Sequence, residues 1–264
     1  MISKTISLSL IFMLLILSSL NAQELFICQS SNIPYPDTAQ VYLPKSYTET
    51  QKYPAVFMLH GWAGNYKQWG KITDLQAYAD QYEMVIICPN GFYDSWYLDS
   101  PLDAKMQFET FFFNTFAPKA IVKYKLDKSN LFITGLSMGG HGALYLFLKN
   151  PDFFRSAAST SGGLSFTAKT ARFGVAKYLG KYNSGTWEKY TVRGNLLNIK
   201  GKNKPFLFDC GTEDFFYKRN LEIYQLCQKH SISAEFIAQK GNHSRTYWKK
   251  SIGKHFEFFD KLAK

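Results

Sequence analysis

Leu131-Phe132-Ile133-Thr134-Gly135-Leu136-Ser137-Met138-Gly139-Gly140-His141-Gly142-Ala143-Leu144-Tyr145-Leu146-Phe147-Leu148-Lys149 is the stretch that decides the fold. A short apolar, β-branched run (Leu131–Thr134) meets Gly-x-Ser-x-Gly, and an apolar segment of helical character follows until Asn150-Pro151 stops it. A serine held in so tight a strand-to-helix turn needs small neighbours, because the backbone is strained and a Cβ beside it would clash. The turn lifts the Ser137 hydroxyl clear of the sheet edge and aims the first helical N–H groups at the same point. A bare Gly-x-Ser-x-Gly is a weak signal, since glycine-rich βα turns carry incidental serines. Between a strand and a helix it marks Ser137 as a candidate nucleophile.

Outward from this turn the pattern alternates. Gln40–Leu43, Ala55–His60, Met84–Cys88, Ser156–Ser159, Pro205–Phe208 and Ala234–Ile237 read as strands. Ile72–Gln81, Phe108–Lys125, Asn220–Lys229 and Thr246–Leu262 read as helices. Short apolar strands alternating with helices predict an α/β fold with a mostly parallel central sheet covered on both faces. Leu164–Gly201 fits the alternation least well. It reads as a polar excursion over the C-terminal strand edges, a possible cap insertion where ligands of such sheets sit.

A serine nucleophile requires a base, and the base an orienting carboxylate. Of the five histidines, His243 lies in Lys240-Gly241-Asn242-His243-Ser244, a loop directly after a strand and before the last helix. His60 reads as a loop-orienting residue, His141 as packing, and His230 and His255 fall on predicted helices. Among Asp209, Glu213 and Asp214, the first is still inside its strand pattern, whereas Asp214 follows the turn at the strand's end. Asp214 is therefore the expected acid, with Glu213 as the alternative. The order Ser137, Asp214, His243 is that of an α/β-hydrolase. His60-Gly61-Trp62-Ala63-Gly64 follows strand Ala55–Leu59, where the amide of Trp62 can join that of Met138 in an oxyanion hole. No metal or cofactor is required by this chemistry. Asn242-His243-Ser244 is formally a glycosylation sequon and reads as coincidence, because a glycan there would block the base.

Taken together, Leu59–Gly64 with Trp69, Gly135–Ala143, Gly211-Thr212-Glu213-Asp214, and Gly241-Asn242-His243 with Tyr247-Trp248 resemble the putative-esterase (esterase D-like) branch of the α/β-hydrolases. The resemblance runs from about Gln40 to the C-terminus. It implies Ser137, Asp214 and His243 as the triad and Trp62 with Met138 as oxyanion donors, agreeing with the residue-level reading. The branch spans S-formylglutathione hydrolases, tributyrin-type esterases, feruloyl and acetylxylan esterases and mycolyltransferases. Ser244-Arg245 after His243 departs from the acidic or aromatic pair common in carbohydrate-active relatives, which bears on substrate and not on chemistry.

Composition narrows the class further. The chain has 264 residues, with 46% hydrophobic, 17% aromatic and 19% charged residues and no repeats, as expected of one globular domain. Its net charge of +11 would suit a polyanion, but the densest basic stretches (Lys200–Lys204, Lys249-Lys250) read as solvated, and no nucleic-acid partner is expected. Met1–Ala22 carries one cation (Lys4), an apolar run Ile6–Leu17 and a polar end, the order of a signal peptide cleaved after Ala22. The run is too short to span a membrane, so a secreted or periplasmic protein is expected. The four cysteines, Cys28, Cys88, Cys210 and Cys227, permit disulfides or buried thiols.

The expected activity is ester hydrolysis through an acyl-enzyme on a small ester or acylated oligosaccharide. Export argues against a glutathione thioester and favours esters on plant-type carbohydrates. Trp69, Trp96 and Trp187 are the expected substrate contacts, stacking on sugar or phenolic rings. The alternatives are a general short-chain carboxylesterase, a secreted acyltransferase with the same triad, and a non-catalytic glycan-binding protein on a hydrolase scaffold.

Overall fold

The computed structural model describes residues 23–263, so the expected signal peptide lies outside the described residues. Eight strands form one sheet: β1 (Gln23–Cys28), β2 (Asp37–Tyr42), β3 (Tyr53–Leu59), β4 (Val85–Cys88), β5 (Leu126–Gly135), β6 (Ser156–Thr160), β7 (Phe206–Gly211) and β8 (Ala234–Gln239). Their spatial order is β1-β2-β4-β3-β5-β6-β7-β8. β1 is antiparallel to β2 and β2 to β4; from β4 onward all neighbours are parallel. The expected α/β-hydrolase architecture is thus present, with an antiparallel N-terminal margin.

The helices are α1 (Leu75–Tyr82), α2 (Phe108–Phe111), α3 (Ala117–Lys123), α4 (Met138–Lys149), α5 (Val175–Leu179), α6 (Ser184–Glu188), α7 (Val192–Asn195), α8 (Tyr217–Lys229) and α9 (Arg245–Ala263). They cover both faces of the sheet, and the strands divide their side chains between two cores accordingly. On β3, Ala55, Phe57 and Leu59 enter the core shared with α3, α4 and α8, while Val56 and Met58 enter that shared with α1 and α9. This is the two-residue period of a strand buried on both faces. Phe259 of α9 stacks on Phe132 of β5 at 4.8 Å, and burying such a ring contributes about 2–3 kcal/mol.

Three features depart from the sequence reading. The expected helix Phe108–Lys125 is interrupted by a π-helical turn at Phe112–Phe116. Pro118 follows at the start of α3 and has no N–H for a carbonyl one turn back, which favours such a local widening. β1 was not anticipated: Leu25 and Ile27 are exposed at the sheet margin and Phe26 and Cys28 buried, an alternation overshadowed by the longer apolar run before it. The segment 164–201, read as a polar excursion, is built of three short helices and two 3-10 turns joined by loops. It is less polar than expected: its Leu164, Phe166, Val175, Tyr178, Trp187, Val192, Leu196 and Ile199 all join the main core.

All four cysteines are buried as free thiols. Cys88 on β4 and Cys210 on β7 have β3, β5 and β6 between them. At the usual strand spacing, that is far beyond disulfide reach.

Candidate active site

Ser137 sits between β5 and α4 with φ 55° and ψ −113°, a backbone strain confined to the turn. Its glycine neighbours are dictated by close approach. A Cβ on Gly135 would lie 2.2 Å from the Gly139 carbonyl oxygen, and one on Gly139 would lie 2.3 Å from that of Leu59. The turn is pinned from behind: the Ser137 amide donates to the Thr160 carbonyl at 3.0 Å, and the Ser137 carbonyl accepts from His141 and Gly163 at 3.0 and 3.2 Å.

Adjacent parallel strands β7 and β8 bring the other two residues to this point. Their exit loops are stitched together by Thr212 N–H to Gln239 O (3.0 Å) and Glu213 N–H to Gly241 O (2.9 Å). His243 Nε2 lies 2.9 Å from Ser137 Oγ, and His243 Nδ1 lies 2.8 Å from Asp214 Oδ2. Asp214 is itself oriented by the Phe216 amide, which donates to Oδ1 at 2.8 Å. With Nδ1–H donating to Asp214, Nε2 is left to accept the serine proton. The structure therefore brings Ser137, His243 and Asp214 into one line, while Glu213 is exposed and makes no bond to the ring among the described residues.

The Asp209 carboxylate belongs elsewhere. It meets His255 Nε2 at 2.7 Å and accepts from Thr160 Oγ1 at 2.8 Å, while His255 Nδ1 meets Thr134 Oγ1 at 2.7 Å. Ser251 Oγ closes the network by donating to Thr160 Oγ1 at 2.9 Å. All of these groups are buried. They lie behind the nucleophile turn, since Thr160 is also the backbone partner of Ser137.

The loop after β3 is shaped by polar contacts. Gln68 Oε1 accepts from the Gly61 amide at 2.7 Å, and Ala63, at φ 60°, donates to Tyr93 O at 2.8 Å. The His60 ring is buried between the carbonyl oxygens of Gly61 and Asn90. It anchors the loop, and burial lowers its pKa. The amides of Trp62 and Met138 donate to no other group among the described residues. His141, expected to be packing, is fully buried, stacks on Tyr145 and contacts the carbonyl oxygens of Trp96 and Tyr190. Burial pushes its pKa down to about 4.

A cleft of about 200 Å³ opens over Ser137 and His243. Trp62, Trp96, Phe173, Phe215, Phe216 and Trp248 form its aromatic walls. Trp62 is 39% exposed and packs edge-on against Tyr93 and Phe173. Trp96 lines the cleft from a buried position, its indole donating to Phe173 O at 2.8 Å. Two expected contacts are corrected. Trp69 is 1% exposed, with its indole donating to Leu59 O at 2.9 Å; Trp187 is also 1% exposed, wedged against Phe166 and Tyr182. Both are core residues outside the cleft, because the elements carrying them turn these large rings inward. Phe173, Phe215, Phe216 and Gln68 were not anticipated. Phe215 and Phe216 carried a signal, following Asp214 directly; Phe173 carried none.

The fold and this serine-centred site define an α/β-hydrolase. The family model described as "Putative esterase" matches residues 30–259, and the chain belongs to that family of serine hydrolases acting on ester bonds. It is 26% identical over 239 residues to an acetyl esterase of Caldicellulosiruptor saccharolyticus, covering 81% of this chain and 86% of that one. It is 26% identical over 241 residues to the S-formylglutathione hydrolase of Bos taurus, covering 81% and 85%. Among solved structures, FphF, a fluorophosphonate-binding serine hydrolase of Staphylococcus aureus, shares the fold at TM-score 0.79 and 21% identity, over 90% of this chain and 98% of that one. A ferulic acid esterase does so at TM-score 0.76 and 24% identity, over 91% and 98%.

Proposed function

We propose that this chain is an exported carboxylesterase that removes acyl groups from carbohydrate esters, with Ser137 as nucleophile, His243 as base and Asp214 as its orienting acid. The observation that carries this reading is the hydrogen-bonded line Asp214–His243–Ser137, opening onto an aromatic-walled cleft. His243 Nε2 takes the Ser137 proton as Oγ attacks the ester carbonyl. Asp214 fixes the tautomer and stabilises the imidazolium that forms. The amides of Trp62 and Met138 receive the oxyanion; one such donor is worth about 10²–10³ in rate. The imidazolium then protonates the leaving alcohol, and water enters by the same route to release the acid.

Aromatic faces suit sugar and phenolic rings, and the relative named acetyl esterase supports a small acyl group. Export rests on the signal-like order of residues 1–22. A general short-chain esterase is the second reading, favoured by the modest cleft volume. The test compares kcat/KM on aryl acetates and butyrates with that on acetylated and feruloylated oligosaccharides, using Ser137→Ala as control. Sugar esters preferred and turnover lost in the variant support the proposal. Activity confined to simple esters selects the second reading, and retained turnover in Ser137→Ala overturns the assignment of the nucleophile.

A further inference from the structure

A second cavity, of about 780 Å³, runs beside the cleft, and Phe173, Phe215 and Phe216 line both. Its charged lining is lopsided: Lys169, Arg172, Lys218 and Arg219 face a single carboxylate, Glu222. Glu222 is engaged by Arg219 at 2.7 Å. Among the described residues, Lys169, Arg172 and Lys218 are exposed and have no acidic partner. Arg172 lies over the Phe173 ring at 4.9 Å, which sets its charge at the wall shared with the cleft. Several like charges in one groove raise the local concentration of the opposite ion. A neutral sugar would leave their mutual repulsion unrelieved.

The side of the reaction that this groove serves follows from the base. His243 must hand its proton to the leaving alcohol, so that alcohol departs on the imidazole's side. Phe215 and Phe216 are packed against that ring, at centroid distances of 4.4 and 5.6 Å, and the groove continues beyond them. We propose that the groove is an alcohol-side subsite for an anionic sugar, a ring bearing a carboxylate or sulfate, so that the preferred ester is an acylated acidic oligosaccharide. The Phe faces take the ring and the unpaired cations take its charge. This proposal rests on the serine-esterase reading of the cleft and adds no chemical step to it.

The test measures acetate release from acetylated oligogalacturonate and from the same oligosaccharide with its carboxylates methyl-esterified, which removes charge and keeps the skeleton. The acid should be preferred by about tenfold in kcat/KM at low salt, with the preference collapsing at high salt. The charge-reversed K169E/R172E/K218E variant should lose that ratio. A second arm titrates Ser137→Ala calorimetrically with unacylated oligogalacturonate, its methyl ester and a sulfated galactan oligosaccharide. Tighter binding of either anion supports the subsite and tells carboxylate from sulfate. Anions binding no better than the neutral oligosaccharide, equal turnover of acid and methyl ester, or a preference unchanged in the variant would each overturn it. Selective anion binding without turnover of any ester would instead sink the esterase reading, and the alcohol-side role with it, leaving only an anion-binding groove.

Discussion

Asp209 and Asp214 each hold a histidine, His255 at 2.7 Å and His243 at 2.8 Å, from one strand and the loop that leaves it. The first pair is sealed in the core, while the second borders the cleft. Their substitutions should therefore separate stability from chemistry. Asp214→Asn should lower kcat by about 10⁴ with little change in Tm. Asp209→Asn breaks a buried network and should cost about 3–5 kcal/mol, read as a clear fall in Tm. Thermal melts beside steady-state kinetics check both; equal Tm losses in the two variants would refute the division.

Gln68 acts through the loop that carries Trp62. Removing its side chain in Gln68→Ala frees the Gly61 amide, a loss of about 1 kcal/mol of hydrogen bonding. The expected outcome is a kcat lower by several-fold with KM nearly unchanged, because a looser oxyanion loop weakens the transition state more than the bound ester. A rise confined to KM would place Gln68 in substrate binding instead.

The tryptophans divide by burial. Trp62→Ala should leave Tm almost intact and raise KM for the ester substrate. Trp69→Ala should cost about 3–5 kcal/mol through a core cavity. Chemical denaturation of both variants, followed by kinetics on the folded fraction, checks the contrast.

His141 gives acid sensitivity a defined sign. Burial drives its pKa from 6.5 to about 4 in the folded chain. Between those values the unfolded chain binds more protons, so this contribution is complete above pH 6.5 and falls as pH drops toward 4, by about 3 kcal/mol in all. Asp37 opposes it: burial raises its carboxyl from 3.8 to about 6, so its contribution declines as pH rises through that window. His141→Phe keeps the ring stack and removes the titration. Its Tm should depend less positively on pH between 4.5 and 6.5 than that of the parent, and parallel slopes would remove His141 as the source.

Much of this site was legible because its residues stand at strand ends, where apolar pattern and turn chemistry coincide. Gly135 and Gly139 flank Ser137 for reasons that steric contact alone supplies, and the exits of β7 and β8 separate Asp214 and His243 from competitors such as Asp209 and His255. The cleft walls were less legible. Trp96 and Tyr97 both adopt positive φ, 52° and 61°, and no local pattern announces where such a turn sends its rings. Trp69 and Trp187 look like ligand-stacking residues in sequence, and only tertiary packing turns them inward. Phe173 reaches the cleft from a segment whose short helices follow from the core beneath them.

The free, separated thiols bear on how the chain can be made. No covalent crosslink holds the fold together, so neither an oxidant nor a disulfide isomerase is needed to reach it. A polypeptide starting at Gln23 should fold in a reducing cytoplasm as readily as outside the cell, and strong reductant should leave its melting curve where it was.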